Sequence, residues 1–362
     1  MTSETKVLHI IARMNVGGTA KYVGELVKSM PNNYLATGFV QGSEIEDPIT
    51  EKLDIYRVKH LGRSLSPIND FKAWIELRKI ISEIKPEIVH THTFKAGLIG
   101  RLVAGKFKRV HTFHGHLFDE PSLSYMSKYL IKTIERILAF NTDTFISVGE
   151  KVGKELRSKG IGRKKVWTSI PPGVSIQKKY NKRLARNTLG LSENNLTIGW
   201  LARMTEVKNP ELLLKIANRM PNVTFAMGGG GDLFEKIRNE KLSNVEVLGW
   251  VDSAYFWSAV DLAISTSKNE GMSVSLIEAQ LFGIPVVATD VGSTSEIIQN
   301  GVTGILVPDQ NVHNFVAGIE FLSNKLDSNY SRIIEDFSKK FSTNKFHKSH
   351  SDLYVGLLTE TH

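Results

Sequence analysis

The sequence contains no cysteine, so neither a disulfide framework nor thiolate chemistry is open to it. It has no apolar run near the roughly 20 residues that a membrane-spanning helix needs. Its first residues do not place a basic stretch before an apolar one, as a signal peptide would. It also lacks a Gly-x-Gly-x-x-Gly fingerprint, a P-loop and an Asp-x-Asp element. These absences disfavour an NAD enzyme and a P-loop ATPase, and they predict a cytoplasmic protein.

The composition is typical of soluble globular proteins, but the charge is unevenly distributed along the chain. The net charge is +9, with 41% apolar and 23% charged residues. Residues 1–170 contain 27 Lys and Arg against 17 Asp and Glu, whereas the remaining residues contain 19 against 20. A basic first half predicts a polyanionic partner, for which nucleic acid and an anionic membrane surface both qualify. A basic surface that serves solubility alone is the alternative.

Short apolar runs alternate with helical patterns, which predicts α/β domains built on doubly wound parallel sheets. The predicted strands of the first half are 7–11, 88–90, 110–113, 144–148 and 166–170. Those of the second half are 197–201, 223–227, 245–248, 262–265, 286–288 and 305–307. Helical patterns lie between them, including 71–84 and 125–140.

The chain is long enough for two domains, and the segment Pro171-Pro172-Gly173-Val174 can continue neither a helix nor a strand. We therefore predict an N-terminal Rossmann-like domain at 1–172 and a C-terminal one at 173–341. A final helix, at about 342–362, is expected to pack back on the first domain. Sheets of this kind bind ligands beyond the carboxyl ends of their strands, which predicts a site at a central cleft.

Several candidate site residues follow predicted strands. Gly17 and Gly18 precede a helix, where paired glycines let an anionic ligand approach the backbone, although a tight turn would look the same. Arg203 and Lys208 lie between a strand and a helix that begins at Asn209-Pro210, with Asn209 as the expected cap. Their charges suit a diphosphate leaving group. An ordinary basic loop is the alternative.

Glu270 and Glu278 are separated by eight positions, one in a loop and one in the helix that follows. The two carboxylates would lie roughly 10 Å apart and could bind hydroxyls at two ends of a sugar nucleotide. Small residues between them open the helix, so backbone N–H groups there can face a phosphate. The plain alternative is a pair of surface acids at a helix start.

Histidines also follow strands. His114, beside Gly115 at a strand end, is placed to touch a ligand, with a structural histidine as the alternative. His90 and His92 alternate along one strand and share a face. No third or fourth ligand is apparent in the nearby sequence, so a metal site is not expected there. Gly228 begins a glycine loop that either lines the nucleotide site or forms a turn.

Together these features resemble the retaining glycosyltransferases of family four, which have two Rossmann-like domains in the GT-B arrangement. The resemblance covers nearly the whole chain and rests on Glu270/Glu278, Arg203/Lys208, Gly17-Gly18 and His114-Gly115 in this order and spacing. The phrases Val-His-Thr-His-Thr-Phe-Lys-Ala-Gly from Val89 and His-Thr-Phe-His-Gly-His from His111 are similar to bacterial enzymes of capsule and O-antigen synthesis.

The resemblance implies a role for each residue. Arg203 and Lys208 would hold the donor diphosphate, Glu270 hydroxyls of the transferred sugar, and Glu278 the ribose. His114 would reach the donor sugar, while Gly18 would let its loop close on the diphosphate. The residues whose backbone amides would meet sugar and phosphates are Met272, Ser273, Val274, Ser275 and Leu276. The base would contact the loop around Trp250 and Val251, with the Gly228 loop nearby. Ser273 stands where many relatives have another residue, which leaves the sugar open.

By the same resemblance the reaction is transfer of a hexose or N-acetylhexosamine from a nucleotide diphosphate, preferably UDP, with retention and without a metal or cofactor. The acceptor would be lipid-linked or a growing glycan at an anionic membrane. Two helical stretches mix bulky apolar and cationic side chains suited to a headgroup zone, or simply pack in the core. These are Phe71, Trp74, Ile75, Arg78 and Ile81, and Tyr125, Lys128, Tyr129, Lys132 and Arg136.

Three other functions remain open from the sequence. A related transferase could use a small soluble anionic acceptor, such as an organic acid or an inositol phosphate. A sugar-nucleotide epimerase has similar domains. A non-catalytic nucleic-acid-binding protein would also be basic, but no recognition fold or interleaved aromatic and basic pattern is apparent.

Overall fold

The computed structural model describes residues 5–42, 44–62, 64–115, 118, 120, 123–175, 178–240, 242–325 and 331–359. They form two compact units. Of these described residues, those within 5–118, 123–173 and 343–359 form the first unit, and residue 120 with those within 174–342 form the second. Each unit is a parallel sheet with helices, so the predicted α/β, Rossmann-like class is confirmed.

The first unit contains a seven-stranded parallel sheet in the order β3-β2-β1-β4-β5-β6-β7. The strands are β1 Val7–Ile11, β2 Asn33–Thr37, β3 Ile55–Arg57, β4 Ile88–His92, β5 Lys108–Phe113, β6 Thr144–Ser147 and β7 Val166–Ser169. The helices are α1 Gly18–Lys28, α2 Pro67–Ile84, α3 Thr93–Gly100, α4 Tyr125–Leu138 and α5 Glu150–Ser158. All residues of β1 and β4 are buried, as expected for central strands covered on both faces.

The second unit contains a six-stranded parallel sheet in the order β10-β9-β8-β11-β12-β13. The strands are β8 Thr197–Leu201, β9 Thr224–Gly228, β10 Val245–Gly249, β11 Leu262–Ser265, β12 Val286–Thr289 and β13 Gly304–Val307. The helices are α6 Lys182–Leu189, α7 Pro210–Arg219, α8 Phe234–Asn239, α9 Ser253–Ala259, α10 Val274–Leu281, α11 Val312–Ser323 and α12 Ser331–Lys340. One core cluster joins β8, β9 and β11 to the inner faces of α7 and α11.

The last described helix, α13 (Thr343–Thr359), belongs to the first unit. It buries Phe346, His350, Tyr354 and Leu357. At Gly173, a Cβ atom would lie 2.6 Å from the Cβ of Phe346, so the absence of a side chain there permits the contact. Among the described residues, no helix combines the length and the apolar composition that crossing a membrane requires.

Candidate active site

The strand order of the second sheet reverses at β8, and such a switch point opens a crevice beyond the strand ends. β8 pairs with β9 on one side and with β11 on the other. Arg203 and Lys208 follow β8, and Glu270 follows β11. The topology therefore places the loops that carry these three candidates at the switch point of one sheet.

Lys208 and Glu270 are in direct contact. The Lys208 Nζ donates to Glu270 Oε1 at 2.5 Å, and the Ser267 hydroxyl donates to the same oxygen at 2.8 Å. The two charged side chains are only 20% and 9% exposed. Sequence reasoning assigned these residues to different groups of the donor and missed both this ion pair and Ser267. The pair aligns the ammonium group and leaves the other carboxylate oxygen for a different partner.

Backbone contacts fix the position of the Lys208 loop relative to the loop after β11. Lys268 N donates to Val207 O at 2.8 Å. The Thr266 hydroxyl contacts the carbonyl oxygens of Lys208 and Asn209, at 3.0 and 2.9 Å, and receives the Trp200 indole N–H at 3.1 Å. Thr266 is fully buried. It therefore positions Lys208 without approaching a ligand.

The prediction that the Asn209 side chain caps α7 is wrong. Asn209 lies at the N-cap position but has a left-handed backbone, with φ of 52°, and its side chain makes no capping bond. Its amide instead donates to Gln310 Oε1 at 2.7 Å, and the Gln310 amide donates to the Thr289 hydroxyl at 3.2 Å. The residue ties the Lys208 loop to the end of β12.

The backbone of Glu270 lies directly against Gly292. A Cβ atom at Gly292 would lie 1.9 Å from Glu270 O, and its φ is 52°. The next residue, Ser293, donates its N–H to Gly271 O at 2.9 Å. A side chain at 292 cannot coexist with this placement of the Glu270 backbone.

We expect Gly292→Ala to displace the Glu270 loop and to reduce sugar transfer at least tenfold, because the clash is with backbone. Gly301→Ala is the matched control, since Gly301 has φ of 78° and open space around it. Each substitution costs about 1–2 kcal/mol for the left-handed conformation. Thermal melts and initial rates would test the difference. Equal rates in the two variants would contradict a role for Gly292 in placing Glu270.

Arg203 is partly buried in the loop after β8. Within the described part of the chain, no carboxylate forms an ion pair with its guanidinium. The neighbouring backbone is fixed, since Met204 N donates to Gly230 O at 2.7 Å. Gly229, with φ of 120°, would place a Cβ 2.0 Å from Ala202 O. The glycine loop thus packs directly on the Arg203 loop, and the guanidinium is available to an anion.

The glycine loop also meets the residues expected near the base. A Cβ at Gly228 would lie 2.9 Å from Val251 Cγ2, and one at Gly230 would lie 2.6 Å from the Trp250 indole nitrogen. Trp250 is 45% exposed. An indole held against glycine with one open face is suited to stacking on an aromatic ligand.

The start of α10 contains the five residues expected to offer backbone amides. Met272, Ser273, Val274 and Leu276 are buried. Ser273 occupies the N-cap position without capping, and its hydroxyl lies 3.1 Å from the Ser275 hydroxyl. The Ser273 hydroxyl therefore does not occupy the first N–H groups of the helix.

Glu278 lies inside α10 and is 4% exposed. Its Oε2 accepts the Trp257 indole N–H at 3.3 Å. The carboxylate is therefore oriented from α9, through a residue that sequence reasoning did not single out. The alternative of a surface acid does not apply to Glu278.

In the first unit, Gly17 is the N-cap residue of α1 and Gly18 its first residue. Gly17 has φ of 152° and ψ of 177°, a conformation that residues with side chains rarely adopt. Among the described side chains, none caps this helix. The start of α1 thus keeps its N–H groups free of a side-chain cap.

His114 directly follows β5. Its Nε2 lies 3.1 Å from His92 Nδ1, and its ring packs edge-on against the Tyr22 ring at 4.7 Å. Burial, and secondarily the positive charge of His350, lower the pKa of His114 to about 3. The ring is therefore neutral near pH 7 and acts by hydrogen bonding. The last histidine of the same phrase, His116, lies outside the described residues.

The expectation that His90 and His92 lack a third ligand nearby is wrong. His9 on β1 pairs in register with His90 on β4, and the three rings are close enough to hold a metal ion. However, both His90 nitrogens are engaged, Nδ1 with the Tyr354 hydroxyl at 2.7 Å and Nε2 with the Thr112 hydroxyl at 2.6 Å. His90 therefore has no nitrogen free for a metal, which disfavours a metal site at these three rings.

Comparison with known proteins assigns the family. Residues 16–178 match the model described as Glycosyltransferase Family 4, and residues 195–325 match the model described as Glycosyl transferases group 1. The two matches together span most of the chain. The chain belongs to the family-four glycosyltransferases. These matches confirm the glycosyltransferase class predicted from sequence, and the relatives that follow confirm the capsule and O-antigen resemblance.

Two curated relatives of this glycosyltransferase come from Escherichia coli. One is UDP-Gal:alpha-D-GlcNAc-diphosphoundecaprenol alpha-1,3-galactosyltransferase, 26% identical over 337 residues and covering 87% of each chain. The other is the O-antigen biosynthesis glycosyltransferase WbnH, 27% identical over 308 residues, or 82% of this chain and 84% of the relative.

A solved structure, Anabaena Alr3699/HepE in complex with UDP and glucose, has a similar fold. The TM-score is 0.79 at 17% identity, over 97% of this glycosyltransferase and 100% of that chain. The predicted GT-B fold class is confirmed.

Proposed function

We propose that this glycosyltransferase moves a hexose or N-acetylhexosamine from UDP to a lipid-linked or polysaccharide acceptor in cell-envelope glycan synthesis, with retention of anomeric configuration. The observation that carries the proposal is the Lys208–Glu270 pair at the switch point of the second sheet. The donor class is supported by a relative named for UDP-Gal and a solved relative bound to UDP and glucose. The acceptor class is supported by the diphosphoundecaprenol in the first relative's name.

In this proposal Arg203 and Lys208 bind the donor diphosphate. Glu270, already oriented by Lys208 and Ser267, binds hydroxyls of the transferred sugar. Glu278 binds the ribose, the start of α10 offers N–H groups, and Trp250 stacks near the base. His114 meets the donor sugar as a neutral hydrogen-bond partner, and Gly18 lets a phosphate approach α1.

The chemistry follows from charge placement. The acceptor hydroxyl attacks the anomeric carbon on the face that the diphosphate leaves, and a departing phosphate oxygen takes the acceptor proton. The bond from carbon to phosphate oxygen breaks as the new glycosidic bond forms. Arg203 and Lys208 stabilise the negative charge that develops on the leaving diphosphate. Since these cations neutralise the charge, the proposal requires no metal ion.

A thermal-shift panel of UDP-, GDP- and ADP-sugars tests the donor. We expect UDP-sugars to raise the melting temperature, because a ligand that prefers the native state stabilises it. Arg203→Met should abolish the shift, whereas Lys236→Met should keep it, since Lys236 is an exposed cation paired with Glu211 on the same unit. The absence of a shift with every sugar nucleotide would refute the proposal. Conversion of the donor without an acceptor would indicate an epimerase.

The outer face of α4 supports a membrane-bound acceptor. Tyr125, Met126 and Tyr129 are 92%, 77% and 62% exposed. Lys128 lies over the Tyr125 ring and Lys132 over the Tyr129 ring. Aromatic groups beside lysines suit an anionic headgroup zone.

Two of the residues predicted to face a membrane, Ile81 and Arg136, make contacts within the first unit instead. Ile81 of α2 is buried at 8% exposure, so it belongs to the core of the first unit. Arg136 of α4 donates to Lys159 O at 2.6 Å, so its guanidinium joins α4 to the end of α5. Phe71 of α2 remains 62% exposed.

Vesicle sedimentation distinguishes a membrane acceptor from a small soluble one. We expect binding to vesicles of anionic lipid, weakened by salt, and little binding to zwitterionic vesicles. Replacing Tyr125 and Tyr129 with serine should weaken it severalfold, whereas Phe321→Ser, on an exposed ring of the second unit, should not. Failure of the protein to bind anionic vesicles at low salt would favour the soluble acceptor.

A further inference from the structure

Three histidines form a continuous chain of hydrogen bonds that ends at His114. His9 Nδ1 lies 3.2 Å from His92 Nε2, and His92 Nδ1 lies 3.1 Å from His114 Nε2. The rings come from β1, β4 and the residue after β5, which are neighbouring strands. His9 and His92 are fully buried, whereas His114 is only partly buried. The chain therefore runs from the sheet interior to the strand end.

Burial keeps these rings neutral. It lowers the pKa of His9 and of His114 to about 3 and that of His92 well below its usual value, with smaller contributions from neighbouring histidines. Each nitrogen of a neutral ring either donates a proton or accepts one. Each of the two hydrogen bonds between the rings needs one proton, so the tautomer of one ring determines the tautomers of the other two. Either all three rings carry the proton on Nε2, or all three carry it on Nδ1.

The residues at the His9 end of this hydrogen-bond chain determine which of the two proton arrangements forms. The Asn33 amide nitrogen donates to Leu26 O at 2.7 Å, which fixes the orientation of the carboxamide. Its Oδ1 and His9 Nε2 are both buried, and neither has a hydrogen-bond partner among the described residues. The Asn33 side chain also raises the pKa of His9, in part opposing the effect of burial, as an acceptor beside the ring would. These two buried atoms can satisfy each other only when His9 Nε2 carries the proton, because the carboxamide oxygen can only accept.

We propose that Asn33, His9 and His92 are positioning residues that hold His114 with its proton on Nε2 and its Nδ1 as a lone-pair acceptor. His114 Nδ1 has no partner within the described chain and is not among its buried unpartnered atoms. This nitrogen is the one left for a ligand. The contact with the Tyr22 ring restrains the imidazole plane.

The proposal has a consequence for substrate recognition, which rests on the proposed function. A lone-pair acceptor selects a sugar position that donates a hydrogen bond, namely a free hydroxyl. A fluorine or an ether at that position cannot donate and leaves Nδ1 unpaired. The hydrogen-bond chain of histidines therefore makes His114 selective for a hydroxyl. Because His114 Nδ1 carries no proton, this atom would not donate a hydrogen bond to a phosphate oxygen.

Nitrogen-15 NMR of the histidine-labelled, unliganded protein at pH 7.5 tests the tautomer directly. We expect the His114 signals, assigned with His114→Gln, to show an unprotonated Nδ1 and a protonated Nε2. A proton on Nδ1 would overturn the proposal. This measurement needs no variant beyond the assignment and no knowledge of the donor, so it stands even if UDP-sugars fail to bind.

Variants of His92 test the positioning role. We expect His92→Leu to change the His114 signals and to lower kcat/KM about tenfold, the effect of one lost hydrogen bond. His92→Asn should recover most of both, because its amide can replace Nδ1. His111→Asn is the control on the other face of the sheet, where His111 Nδ1 contacts the Thr91 hydroxyl at 2.8 Å. Unchanged His114 signals in folded His92→Leu would show that His92 does not set the tautomer.

Discussion

Replacing Lys208 with alanine will lower the rate of sugar transfer by about 10²–10³-fold, the usual cost of removing one preorganised electrostatic contact. Glu270 holds the ammonium at 2.5 Å, and the Thr266 hydroxyl holds the Lys208 backbone by donating to its carbonyl oxygen, so the cation needs little reorganisation as the diphosphate leaves. Steady-state rates with saturating acceptor are the measurement, and the loss should fall mainly on kcat.

Removing Lys208 alone also leaves Glu270, which is 9% exposed, without its counter-charge. A buried carboxylate without a partner destabilises the fold. The double variant Lys208→Met with Glu270→Gln removes both charges and should recover the melting temperature without recovering transfer. Recovery of near-normal rates in this double variant would remove Lys208 from the mechanism. Equal melting temperatures of the single and double variants would show that the pair contributes little to stability.

Acid will unfold the first unit before the second. Six of its histidines have a pKa lowered mainly by burial: His9, His90, His92, His111, His114 and His350. Above about pH 6.5 they are neutral in both states, so they do not change stability with pH. Below that value the unfolded chain binds protons that the folded unit excludes, until the pH approaches the folded pKa values, about 3 for His9 and His114 and about 4 for His350. Stability therefore falls with falling pH.

At pH 5 each of these three histidines costs about 2 kcal/mol relative to pH 8. Their sum is comparable to the stability of a whole domain. Urea unfolding at pH 8, 6.5 and 5, with peptide-resolved hydrogen exchange to separate the units, would measure the loss. The second unit is the internal control, since its one histidine in the described chain, His313, is exposed. His111→Asn should reduce the pH dependence of the first unit's free energy of unfolding by the equivalent of about one bound proton. Equal stability of the first unit at pH 8 and pH 5 would contradict the prediction.

The alternation of elements is predictable from the sequence because local pattern determines it. Strands such as β8 and β11 are continuous apolar runs, as expected when both faces of a parallel sheet are covered. β2 and β3 were not predicted. β2 begins with the partly exposed pair Asn33 and Tyr34, and β3 has only three residues. Segments this polar or this short carry too little hydrophobic periodicity to stand out.

The contacts within the candidate site are less predictable because sheet register brings distant residues together. Lys208 and Glu270 are 62 positions apart, and His9 and His92 are 83 apart. Spacing indicates that each follows or lies on a strand, but not which atoms meet. The Trp257 bond to Glu278 depends on how α9 packs on α10 and has no local signature. The roles assigned to all the candidate site residues, including Lys208, Glu270 and His114, stay predictions.

The position of α13 has a consequence for how the protein is made. Tyr354 and His350 contact His90 and Tyr22, yet they leave the ribosome only after residues 174–342 have been translated. A nascent first unit therefore waits, with buried polar groups uncovered, while the second unit can already fold. Premature termination just before Thr343 would release a chain whose second half is complete and whose first half lacks its closing helix.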